Sequence, residues 1–143
     1  TVKQAMTEGQ LLPASLCLEV TETALMSDSS ALDHLEAFQS MGIRIAVDHF
    51  GTGYSSLGQL KRLPVDVLKI DRSFVDGLGH SVEDTAIVRA IVDLARAIGL
   101  GVVAEGIEHP RQVDELLRLG VRRGQGSMYG KAVPWAQFES DHL

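Results

Sequence analysis

A single cysteine, Cys17, stands in a chain of 143 residues, so no internal disulfide can form. That usage suits a reducing compartment. Basic residues are also short: 13 Lys and Arg face 19 Asp and Glu, a net charge of -6. This balance argues against a partner such as DNA, because binders of a nucleic-acid backbone are normally basic. It leaves room for a small phosphorylated ligand, since metal ions can supply local positive charge. No apolar run approaches the roughly 20 residues that cross a bilayer, so no membrane span is expected in this segment. No charged-then-apolar signal segment opens it. A cytoplasmic location is the expectation. No linker, low-complexity tract or repeat divides the chain.

What is present is a core-forming composition. Apolar residues make up 45% and charged residues 22%, which fits one globular domain with a sizeable core. Five short apolar runs read as strands: Leu16–Val20, Ile43–Val47, Val65–Ile70, Leu100–Ala104 and, more weakly, Val121–Gln125. Helical patterns alternate with them. Leu32, Leu35, Phe38 and Met41 recur at helical spacing before Gly42. Ile87, Val88, Ile91, Leu94, Ala95 and Ile98 form a wider stripe, with Ser81 as its cap and Gly99 as its stop. Pro110 opens a further helix, with Val113, Leu116 and Leu117 on one face and Gly120 at its end. The segments Val2–Leu12 and Ser55–Arg62 read as shorter helices.

Alternation of this kind predicts a parallel α/β sheet. The spacing is that of βα units in a (β/α)8 barrel. Two architectures fit: an open doubly wound sheet, or an incomplete barrel of about five βα units. The strand ends favour the barrel. Each run finishes on a polar residue: Glu19, Asp48, Lys69, Glu105 and Gln125. By alternation, Glu19 shares a face with Cys17, Asp48 with Ala46, Lys69 with Val67, and Glu105 with Val103. In a barrel these groups ring the C-terminal mouth, where barrel active sites lie. Clustered carboxylates repel unless a cation joins them, and oxygen-rich sites favour Mg2+ or Mn2+. Two such ions can clamp the attacking and leaving oxygens of a phosphodiester displacement. Lys69 could orient water or offset charge on the phosphate. The loop after Asp48 carries Gly51, Thr52 and Gly53, and glycine permits its sharp turns.

The ordered set Leu18-Glu19-Val20-Thr21-Glu22, Asp48 to Leu57, Leu68-Lys69-Ile70-Asp71, Ala104-Glu105-Gly106-Ile107-Glu108 and Gly124-Gln125-Gly126 resembles the EAL domain. These domains are bacterial (β/α)8-barrel phosphodiesterases that hydrolyse cyclic di-GMP to the linear dinucleotide pGpG with Mg2+ or Mn2+. The resemblance runs from about Leu16 to Pro134. It implies that Glu19 ligates the first metal and that Asp48 bridges both metals. It likens Lys69 to the lysine near the hydrolytic water, and Glu105 to a second-site ligand or general base. Gln125 matches an amide that supports the site, and Glu22 matches the glutamate that braces the glycine loop. Glu108 reads as structural support.

The chain departs from the family at several places. Nothing in Thr1–Pro13 matches the Glu-Ala-Leu motif, so residues 1–143 read as a partial domain without its first barrel strands. His49 stands where the family has a second metal-binding aspartate. Imidazole can ligate a metal but brings no negative charge and suits Mg2+ poorly. The exchange either weakens the second site or selects a softer ion such as Mn2+ or Zn2+. Ser127 and Ala132 replace an aromatic and a proline common in the family. The alternative function is a degenerate cyclic di-GMP receptor, or a protein-interaction domain. A partial barrel also predicts self-association through exposed sheet edges. A diguanylate-cyclase or sensory domain in the parent protein would fit the family. Cys17 is expected in the core, and Trp135 and Phe138 packed onto the barrel wall.

Overall fold

The computed structural model describes residues 2–27, 31–52 and 57–142. Four strands form among these residues: β1 (Cys17–Thr21), β2 (Arg44–Phe50), β3 (Val67–Ile70) and β4 (Gly101–Ala104). They are parallel and lie in the sheet order β1-β2-β3-β4, the order of the chain. A doubly wound sheet reverses direction at a switch point. Strict succession without reversal is the topology of a barrel wall, so the sheet is an arc of a TIM-type barrel.

Among the described residues, eight α-helices accompany the strands: α1 (Val2–Glu8), α2 (Glu22–Ser27), α3 (Ala31–Ser40), α4 (Leu57–Leu60), α5 (Arg72–Val75), α6 (Val82–Ala97), α7 (Pro110–Arg118) and α8 (Trp135–His142). Ser81 caps α6 as expected: its hydroxyl oxygen accepts the Asp84 amide at 3.1 Å. The core lies between the sheet and helices α2 to α7. Ile45, Val47, Leu68, Ile70 and Ala104 point into it from the strands, and Val88, Ile91, Val92 and Ala95 meet them from α6. The other face of each strand is therefore free to carry the polar residues. Ile87 and Leu117 lie outside the core and are exposed. Each is one helical step, about 100°, away from a buried neighbour.

Three expectations need correction. The fifth strand, Val121–Gln125, does not form; only Gly124 makes a parallel bridge, to Ala104. Two arginines and two glycines at 122–126 are poor strand formers. Cys17 is exposed, because β1 pairs only with β2 and its inward face is open. Trp135 and Phe138 are exposed too; they stack on each other, with ring centroids 5.9 Å apart, rather than on the sheet. No helix among the described residues is long and apolar enough to cross a membrane.

Candidate active site

The inward-facing polar residues converge. Glu19 lies in β1, Asp48 in β2 and Lys69 in β3, while Glu105 directly follows β4 and Gln125 follows the Gly124 bridge. The Lys69 side chain is 4% exposed, and its Nζ sits 2.5 Å from Glu19 Oε2, 2.6 Å from Glu105 Oε1 and 3.3 Å from Asp48 Oδ1. Burial disfavours that ammonium's charge. Its hydrogen bonds to Glu105 and Glu19, the charge of Glu105 and the hydrogen bond to Asp48 outweigh burial, and hold it above the ordinary lysine range. Gln125 Nε2 donates to Glu105 Oε1 at 2.7 Å. Five residues from five successive segments thus form one connected cluster.

A β-bulge places His49 in the same cluster. Val47 pairs with Leu68 and Phe50 with Ile70, so three steps on β2 oppose two on β3. The extra residue breaks alternation and lets consecutive residues Asp48 and His49 face one site. His49 absorbs the distortion at φ 55°, a region histidine enters more readily than most side chains. Phe50 returns to the core, 7% exposed. The His49 Nδ1 lies 2.5 Å from Asp71 Oδ2, and its Nε2 lies 3.5 Å from Asp48 Oδ2. The hydrogen bond to Asp71, then the Asp48 charge, push His49 above the usual histidine value. Burial would raise the Asp71 carboxyl, but its hydrogen bonds from Ser73 and His49 hold it below the usual value. The charged pair therefore persists from the lowered Asp71 value up to the raised His49 value: acid protonates Asp71, and base neutralises His49.

Glu22 contacts the start of the glycine loop. Gly51, at φ 94°, donates its amide to Oε2 of the buried Glu22 at 3.3 Å. Thr52 turns elsewhere: its hydroxyl donates to the His49 carbonyl at 2.8 Å. Gly53, Ser55 and Ser56 lie outside the described residues. Glu108 pairs with Arg72 at 2.9 Å.

Two residues in the site's framework carry no role in the sequence reading. Asp71 belongs to a quoted motif, but its contact with His49 depends on the bulge. Gln112 is 1% exposed: its Oε1 accepts the Glu108 and His109 amides at 2.7 and 2.8 Å, and its Nε2 donates to the Val75 carbonyl at 3.1 Å. It ties the loop after Glu105 to α5. The Gln112→Ala variant is expected to lose about 1–3 kcal/mol in denaturant unfolding, because the buried Val75 carbonyl and two partly buried amides lose their partner.

The donor set suits a divalent cation. Glu19, Asp48 and Glu105 face one ammonium, and donor atoms of Asp48, His49 and Glu105 lie within 4.8 Å of one another. Oxygen donors with excess negative charge fit such an ion.

The EAL domain model matches residues 1–132. MucR of Pseudomonas aeruginosa, a bifunctional diguanylate cyclase/cyclic di-GMP phosphodiesterase, is 48% identical over 138 residues, which cover 96% of this chain and 20% of MucR. NbdA of the same organism, a cyclic di-GMP phosphodiesterase, is 40% identical over 139 residues, 96% of this chain and 18% of NbdA. The MucR phosphodiesterase, solved with cyclic di-GMP, superposes with a TM-score of 0.89 over 96% of this chain and 56% of that one. A manganese and cyclic di-GMP complex of Klebsiella pneumoniae BlrP1 superposes at 0.83 and 32% identity, over 89% of this chain and 33% of that one. The chain spans about a fifth of these curated relatives' length.

Proposed function

The chain belongs to the EAL domain family, and we propose that it supplies much of the active face of a phosphodiesterase that opens cyclic di-GMP to linear pGpG. The observation that carries this reading is the Lys69 ammonium seated among Glu19, Asp48 and Glu105, with Gln125 fixing Glu105. The likeness to the MucR phosphodiesterase and to BlrP1, both solved with cyclic di-GMP, supports the substrate class.

Divalent cations, Mg2+ or Mn2+, supply Lewis-acid polarisation of the phosphate and activation of water when bound. Glu19, Asp48, His49 and Glu105 are the residues that would hold them. In the hydrolysis, water adds to phosphorus, the P–O3′ bond breaks, and the 3′ oxygen takes up a proton. Lys69 offsets the charge that grows on the phosphate oxygens. Gln125 donates to Glu105 Oε1 and restricts that carboxylate to one orientation. Glu22, through the Gly51 amide, holds the loop that follows Asp48.

The test is conversion of cyclic di-GMP to pGpG by the full-length protein with Mg2+ or Mn2+. Turnover is expected, and Asp48→Asn is expected to abolish it. Binding of cyclic di-GMP without turnover under either ion would replace the enzyme reading with a receptor.

A further inference from the structure

His49 and Asp71 form a pair whose chemistry goes deeper than the phosphodiesterase reading, on which it rests for the presence of a metal. A neutral imidazole carries one N–H and one lone pair. Asp71 Oδ2 lies 2.5 Å from Nδ1 and, as a carboxylate, can only accept. The N–H is therefore drawn to Nδ1, and the lone pair is left on Nε2, the nitrogen facing Asp48 at 3.5 Å. Two ligand atoms bound at about 2.1 Å to one ion lie roughly 3.0–3.5 Å apart, so this spacing suits a shared ion. The Asp71 carboxylate cannot swing freely. Its Oδ1 accepts the Ser73 amide at 2.8 Å as the cap of α5.

A carboxylate behind a histidine, fixing tautomer and ring plane, is the arrangement that prepares a metal-ligating imidazole. We propose that Asp71 is a positioning residue that locks His49 as an Nε2 donor, so that Asp48, His49 and Glu105 form a mixed nitrogen–oxygen site selecting Mn2+ and related transition ions over Mg2+. The selectivity follows from donor type. Imidazole suits transition-series ions, whereas Mg2+ holds to oxygen ligands.

Asp71→Asn tests the positioning with little change in shape. Asparagine is an equally good helix cap, so the Ser73 contact survives. Its amide, however, donates to Nδ1 and moves the imidazole N–H to Nε2, which removes the free lone pair. The full-length protein loaded with Mn2+ is read by pulsed electron paramagnetic resonance for 14N coupling, and its Mn2+ and Mg2+ affinities are measured by calorimetry. Imidazole 14N coupling is expected in the unaltered protein and lost in His49→Asp. In Asp71→Asn the coupling is expected to weaken and the Mn2+ to Mg2+ affinity ratio to fall by about 10–100-fold. Absence of 14N coupling in the unaltered protein, or an unchanged ratio in Asp71→Asn, overturns the inference. Neither measurement uses turnover. A protein that shows the coupling but never hydrolyses cyclic di-GMP would refute the phosphodiesterase reading alone.

Discussion

Turnover of cyclic di-GMP is expected to fall by about a hundredfold or more when Lys69 is replaced by methionine. Methionine keeps the length and the apolar stem that β3 buries, and removes only the ammonium. Two consequences follow from the geometry. On the proposed phosphodiesterase reading, the phosphate loses the cation that offsets its growing charge. Glu19, Asp48 and Glu105 also lose the group that holds them together at 2.5, 3.3 and 2.6 Å, and they repel one another more strongly. A divalent cation relieves that repulsion, so metal affinity is expected to rise in Lys69→Met while kcat falls. This opposition separates a chemical role from general damage, which would lower both. The check is kcat at saturating metal and substrate alongside a calorimetric metal titration. A kcat within about threefold of the unaltered protein would remove Lys69 from the chemistry.

The cluster was legible in the sequence because strand alternation is a strong rule. Glu19, Asp48, Lys69 and Glu105 each end an apolar run on one parity, and the parallel sheet carries them to one mouth. The barrel topology was legible in two steps: strand-helix alternation left two architectures, the polar strand ends favoured the barrel, and the sheet order agrees with it. What strict alternation hides is its own exception. The bulge between Val47 and Phe50 turns His49 toward Asp71, a residue 22 positions later. No periodicity in the sequence announces that contact. Gln112 was hidden for another reason. A glutamine near a helix start usually meets solvent, and its burial depends on Val75 lying across from it. The fifth strand failed because hydrophobic runs are a weak guide where glycines and arginines interrupt them, as at 122–126. Trp135 and Phe138 show the same limit: aromatic character marks a surface to be covered, not what covers it.

Replacing Gly126 by alanine is expected to lower kcat by roughly a hundredfold and stability by about 1–3 kcal/mol. The reason is close approach rather than backbone strain, since Gly126 is not among the positive-φ glycines. A Cβ at Gly126 would overlap the backbone N, C and O of Ile107. Ile107 cannot move aside. Its amide donates to the Gln125 carbonyl at 3.0 Å, its carbonyl accepts the Met128 amide at 3.0 Å, and its side chain is 2% exposed in the core. The loop at Gln125 must therefore give way. Gln125 then loses its 2.7 Å hold on Glu105, and Glu105 loses its set position beside Lys69. Gln125→Ala removes the amide but leaves the loop intact, and is expected to lower kcat with little change in Tm. Gly126→Ala is expected to match that loss in kcat and to lower Tm as well. A Gly126→Ala protein with unaltered kcat and Tm would show that Ile107 yields, and that the glycine does not fix the amide.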